Sequence, residues 1–278
     1  MIRTYDEYIT PGVLLAEELQ CAVIDLNCFR NASYQRIIQA QTKVNGLLTS
    51  LNALLFFEPW VPVIDDQLVF GSLSEMIKNH SFPLKPLLIG TVKEEGIGFI
   101  YKNWKTPMSV KLYVEIGLAF FGEKLFKVLE RFPPDTSADQ RAQLSQVATE
   151  WVFVCSTRFF ARRSATRFSY VFNYPLIPET GVNSSVCKGH VCHGDELPFL
   201  FQSRWSNFSA AGQRISQAMG FYWTNFAKTT DVNQPVNVSL PWPPTNSINE
   251  KYLSFEDPLK VQENYDKSDC DFWDQIGY

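Results

Sequence analysis

The sequence predicts an α/β fold built around a parallel or mostly parallel sheet. Three observations carry that expectation. Residues 86–91 form a short apolar run, Pro86-Leu87-Leu88-Ile89-Gly90-Thr91, which ends near a glycine and reads as a buried strand. Residues 168–174 are aromatic and β-branched, the composition of a second strand. Long stretches of helical apolar spacing lie around these runs, and strands separated by helices pair in parallel. Two or three strands are few for a sheet needing cover on both faces, so part of the fold is expected to lie outside this chain.

The other elements follow in order. Apolar residues at helical spacing predict a helix over residues 35–55, then an extended, proline-broken stretch over 56–65. A short helix is expected over 72–79. Residues 110–130 read as one or two helices, stopped by Pro133 and Pro134. Ser137 or Asp139 is placed to cap a long helix running to about Arg163, with Leu144, Val147, Trp151 and Val154 on one face. Another amphipathic helix carries Ile215, Met219, Tyr222 and Phe226 on one stripe. From Asp231 onward the chain is rich in Pro and Asn and reads mostly as loop, with a small strand near Tyr252-Leu253-Ser254-Phe255.

The 278 residues, 45% of them hydrophobic, are enough for one large domain or two small ones with a sizeable core. The formal charge is −4 and the basic clusters at 124–127 and 158–163 are short. That excludes nucleic acid as the expected partner, since neutralising phosphates needs clustered Lys and Arg. No run of 18 apolar residues predicts a transmembrane helix. The first seven residues lack the apolar core of a signal peptide. Yet five Asn-x-Ser sequons, at Asn31, Asn79, Asn183, Asn207 and Asn237, and an even count of six cysteines point to a secretory history. Together these predict a secreted or lumenal protein whose native beginning is not Met1.

Two segments carry candidate chemistry. Leu88-Ile89-Gly90-Thr91-Val92-Lys93-Glu94-Glu95-Gly96 is a strand followed by a turn with paired carboxylates. Val191-Cys192-His193-Gly194-Asp195-Glu196-Leu197 is a loop histidine leading into an apolar segment. Functional groups in α/β sheets gather where the chain leaves the C-terminal ends of strands. A buried carboxylate beside an imidazole fixes its tautomer and stabilises the imidazolium formed in acyl transfer.

These segments, in their order and spacing, resemble the C-terminal half of type-B carboxylesterases and cholinesterases, α/β-hydrolases. The same resemblance runs through Cys21 and Cys28, Pro62-Val63-Ile64-Asp65, Trp223-Thr224-Asn225-Phe226-Ala227-Lys228-Thr229, Trp242-Pro243 and Cys270-Asp271-Phe272-Trp273. It implies the C-terminal part of an α/β-hydrolase fold over residues 1–278, a mostly parallel sheet with helices on both faces, incomplete in this chain. It implies Glu95 as the triad acid, rather than Glu94, because the family acid directly precedes the glycine. It implies His193 as general base. The family order Ser, Asp or Glu, His leaves the serine upstream. No Gly-x-Ser-x-Gly string occurs in the 278 residues, and Gly71-Ser72-Leu73-Ser74-Glu75 lacks the second glycine. The chain alone is therefore expected to be inert, the N-terminal portion with the nucleophile and oxyanion donors being absent from it.

The resemblance also implies disulfides Cys21–Cys28, Cys155–Cys270 and Cys187–Cys192, the last stiffening the loop before His193. A zinc cluster of Cys187, His190, Cys192 and His193 is the rival reading. Adjacent Cys192 and His193 are cramped for paired ligands, so no metal and no cofactor is expected. Asp195 and Glu196, another conceivable acid–base pair, read better as the start of a segment packed beside the site. Phe56, Trp60 and Phe99 lie where relatives place apolar pocket residues. Where the family has Lys-Thr-Gly, this chain has Lys228-Thr229-Thr230, so that turn is expected to differ. The function implied is hydrolysis of a small carboxylic ester through an acyl-enzyme when the protein is complete. The alternatives are a non-catalytic cholinesterase-like adhesion protein and an inactive truncated remnant.

Overall fold

A computed structural model describes residues 4–52, 60–72, 75–76, 79, 85–163, 167–176, 185–246 and 248–278. The chain divides into two compact units, 1–82 and 83–278.

In the first unit, helices α1 (Tyr5–Leu19) and α3 (Tyr34–Asn52) pack on each other, with Leu14, Val44 and Leu48 at their contact. Between them the Cys21–Cys28 disulfide closes a small loop. The loop leads into α2 (Leu26–Asn31), whose first amides are capped by the Asp25 carboxylate. Lys43 pairs with Glu18 at 2.9 Å, and Arg36 donates to the Leu19 carbonyl. The helix expected to end at residue 55 is described as far as Asn52. Where a short helix is expected over 72–79, the described residues show a reciprocal pair of bonds. Ser72 N donates to Glu75 Oε2, and Glu75 N to Ser72 Oγ.

The second unit is built on a four-stranded sheet in the order β1 (Leu87–Val92), β2 (Arg167–Phe172), β3 (Lys251–Phe255), β4 (Lys260–Glu263). The first three strands are parallel and β4 returns antiparallel to β3. Alternation of side chains gives the sheet two apolar faces. Leu88, Val92, Phe168, Tyr170 and Phe172 join one core with Ile215, Met219 and Tyr222 of the helix Ala210–Thr229 and with the fully buried Trp242. Ile89, Thr91, Ser169 and Val171 face the other way, toward Val154, Thr157 and Ala161. Helices thus cover both faces of a mostly parallel α/β sheet.

Further helices are α4 (Gly96–Asn103), α5 (Val110–Phe121) and α6 (Leu125–Arg131). The long helix expected from Ser137 or Asp139 to Arg163 is an unbroken helical run in three parts. These are α7 (Arg141–Ala148), a π turn (Thr149–Val154) and α8 (Cys155–Ala161). The N-cap of α7 is Gln140, with no side-chain cap bond, rather than Ser137 or Asp139; the Asp139 carboxylate accepts from Arg141 N and Met108 N and so ties two segments together. A four-residue helix α9 (Leu197–Leu200) and α10 (Ala210–Thr229) follow.

The stretch after Asp231 is more ordered than composition suggests. Besides β3 it holds β4 and a ten-residue helix, α11 (Lys267–Ile276). Cys270, Trp273 and Ile276 form the buried stripe of α11, and the Cys155–Cys270 disulfide fastens it to α8. Arg158 of α8 reaches Glu250, Asp271 and Asp274, which locks the same junction with a partly buried ion network. Among the described residues no helix is long and apolar enough to cross a membrane. The three disulfides fit an extracellular or lumenal compartment.

Candidate active site

Strand β1 ends at Val92, and the chain turns through Lys93, Glu94 and Glu95 into α4. Lys93 N donates to the Phe172 carbonyl at the end of β2, which fixes the turn at the C-terminal edge of the sheet. Gly96 N donates to Thr149 Oγ1 in the π turn. A Cβ on Gly96 would lie 2.4 Å from the Ser145 carbonyl oxygen, so only glycine lets the turn lie this close to α7.

Glu95 is 4% exposed. One carboxylate oxygen accepts from Val92 N at 2.8 Å, and the other lies 2.5 Å from His193 Nδ1. A carboxylate at Nδ1 holds the proton there and leaves the basic lone pair at Nε2. The His193 ring rests against Phe99, with centroids 5.0 Å apart, and against Phe153, at 5.3 Å. Its side chain keeps 51% of its surface exposed.

The loop that carries His193 is fastened at several points. Cys187 and Cys192 are disulfide-bonded. Asp195 Oδ2 accepts from Cys192 N at 2.8 Å, and Asp195 N donates to the Cys192 carbonyl. This tight turn places Gly194 at φ +86°, a backbone suited to glycine. Burial pushes the Asp195 carboxyl up to about 6. It also raises that of Glu196, whose Oε2 is buried without a hydrogen-bond partner among the described residues.

A second carboxylate–imidazole pair lies alongside. His190 Nδ1 is 2.8 Å from Glu94 Oε1, and Val191 N donates to Glu94 Oε2 at 2.9 Å. Both members are more exposed than Glu95. They line a cavity of about 590 Å³ with Lys93, Tyr101, Glu150 and Asp266.

The structure therefore brings together Glu95, His193 and Phe99. Trp60 lies in the first unit, its ring edge-on to Tyr8 and its Nε1 donating to Asn45. Phe56 and Asn183 lie outside the described residues, whereas Asn31, Asn79, Asn207 and Asn237 are exposed. The zinc reading does not hold. Its two cysteines are disulfide-bonded and its two histidines turn to different glutamates. Among the described residues no cluster could hold a metal ion. Sequence reasoning missed Phe153, Thr149 and the bonds of Glu94. The Glu94–Glu95 doublet was the visible signal for the last, while Phe153 sits in a π turn whose side-chain directions a 3.6-residue period does not give.

The carboxylesterase family profile matches residues 12–273. The chain is 28% identical over 261 residues to the cAMP-regulated D2 protein of Dictyostelium discoideum, covering 90% of this chain and 48% of that protein. It is 27% identical to the Crystal protein of the same organism, covering 95% and 50%. Acetylcholinesterase of Bungarus fasciatus is 23% identical, over 95% of this chain and 47% of its own length. Among solved structures, a PNB esterase superposes with a TM-score of 0.74 at 16% identity, over 97% of this chain and 55% of its own, which shows the fold. The chain spans about half the length of these relatives. With a profile match across nearly its whole length, the chain belongs to the carboxylesterase family.

Proposed function

We propose that the complete protein hydrolyses small carboxylic esters through an acyl-enzyme, and that this chain is the C-terminal portion of its single hydrolase domain. Glu95 and His193 are the acid and base of the triad. The serine and oxyanion donors come from sequence beyond these 278 residues. The observation that carries the reading is the 2.5 Å contact between the buried Glu95 carboxylate and His193 Nδ1. Strand β1 adds support. Its sequence, LLIGTV, carries no charge or proline to guard an edge, and its outer side pairs with no strand among the described residues.

In this mechanism His193 Nε2 takes the serine proton as the hydroxyl attacks the ester carbonyl. It returns a proton to the leaving alcohol, then repeats both steps with water as nucleophile. Glu95 keeps the ring in the productive tautomer and offsets the imidazolium charge. Phe99 and Phe153, stacked with centroids 5.9 Å apart, together back one flank of the ring, and Phe99 is the apolar group of this unit that we assign to the pocket. Secretion, with glycans at the exposed sequons, completes the proposal. A protein acting only through adhesive contacts would have no use for the Glu95–His193 bond, which favours the hydrolase.

The test uses the full-length protein and a chromogenic ester. Glu95→Gln is expected to lower kcat by about 10³- to 10⁴-fold, and His193→Ala by more. Unchanged turnover in both variants sinks the assignment.

A further inference from the structure

We propose that Glu94 is a positioning residue, which sets the placement of His193 by clamping the loop before it. The inference rests on the reading of Glu95 and His193 as acid and base.

Successive residues of one turn send their carboxylates to one loop. Glu95 takes the imidazole of His193 and Glu94 takes the backbone two residues earlier. Three contacts join Glu94 to that loop. Its N–H donates to the Val191 carbonyl at 3.0 Å, its Oε2 accepts from Val191 N at 2.9 Å, and its Oε1 meets His190 Nδ1 at 2.8 Å. The first two form a reciprocal pair that fixes Val191 in two directions relative to the acid turn. Bonds to a carboxylate are shorter and stronger than neutral ones, which suits a clamp.

Two other features refer this loop to the acid turn: the Glu95–His193 bond, and the Val191 side chain, buried in the same core as Val92. The Cys187–Cys192 disulfide and the Asp195–Cys192 bonds shape the loop internally. Residues Lys188, Gly189 and His190 are exposed, so packing does little to hold them. Glu94 is the group whose hydrogen bonds tie the Val191 backbone to the acid turn. A loop displaced by about 1 Å at Val191 carries His193 away from the line between Glu95 and the serine, and such displacements cost about 100-fold in rate.

The experiment measures kcat, KM and thermal midpoint in the full-length protein for Glu94→Ala and Glu94→Gln, with His193→Ala alongside. Glu94→Ala is expected to lower kcat by about 10- to 100-fold while KM stays within about twofold. Glu94→Gln keeps an oxygen for Val191 N and turns its amide toward His190 Nδ1, so kcat returns to within about threefold of the parent. If Glu94→Ala does not fold, Glu94→Asp carries the test. It keeps the charge but is one methylene too short to span to Val191, and the same kcat loss is expected. A kcat within twofold of the parent for the alanine or aspartate variant overturns the proposal, as does a glutamine variant no better than alanine. If those results come while His193→Ala abolishes turnover, the triad reading stands and only the clamp falls. Turnover that survives His193→Ala removes both.

Discussion

Replacing Glu150 by glutamine is expected to stabilise the protein, and increasingly so as pH rises. Glu150 lies in the π turn, 4% exposed, where Gln146 Nε2 donates to it at 2.9 Å and Trp273 Nε1 at 3.3 Å. Burial, opposed by these hydrogen bonds and reinforced by Asp269 and Asp266, raises its pKa from the ordinary 4.5 to about 7. The folded protein therefore keeps a proton that the unfolded chain gives up. Stability is fully present below pH 4.5 and drains away as pH climbs to about 7. At ~1.4 kcal/mol per pH unit, that interval corresponds to about 3 kcal/mol. Glu150→Gln has no proton to lose and keeps an oxygen for the Trp273 indole. Urea unfolding followed by tryptophan fluorescence at pH 5 and pH 8 reads the difference directly. The variant's advantage over the parent should grow by about 2–3 kcal/mol across that range, other groups cancelling in the comparison. Parallel pH profiles for the two proteins would refute a buried, proton-holding Glu150.

Three further outcomes are expected. Gly96→Ala forces a Cβ to within 2.4 Å of the Ser145 carbonyl, so the acid turn must shift; calorimetry should show a loss of about 1–3 kcal/mol and ester turnover should fall with it. Cys155→Ser with Cys270→Ser opens a loop of 115 residues, and the urea midpoint should drop by the equivalent of about 4–5 kcal/mol. Thr230 closes α10 in a left-handed conformation at φ +62°, where an L side chain costs ~1–2 kcal/mol. Thr230→Gly should accordingly raise the thermal midpoint, net of the glycine's greater freedom when unfolded, by about 0.5–1 kcal/mol in stability.

The legible parts of this fold are those with local signals. Strands β1 and β2 announce themselves by apolar and β-branched runs between turn residues, and α10 by the stripe Ile215, Met219, Tyr222. Helix α11 had its own stripe in Cys270, Trp273 and Ile276, but it sits in a stretch whose prolines and asparagines drew the reading toward loop. Thr230 shows the limit of a composition argument. The helix ends in a left-handed backbone of the kind glycine favours, although a β-branched residue occupies it. At the site, Glu95, His193 and Phe99 were legible as residues. Their contact depends on the π turn and on the Gly96–Thr149 bond, 53 residues apart in sequence, which no local pattern encodes.

The doublet Glu94-Glu95 shows why residue type alone could not assign the roles. The two side chains are chemically identical and adjacent, and each meets a histidine. Position in the turn divides them. Glu95 points inward beneath the end of β1, where the Val92 amide satisfies one oxygen and burial leaves its charge less screened than that of Glu94 where it meets the His193 imidazole. Glu94 points along the surface, where solvent screens its charge and its value lies in geometry, as an acceptor for a backbone amide that needs one. Exchange the two environments and the roles exchange with them: burial makes one carboxylate an electrostatic partner, and exposure leaves the other as a fastening.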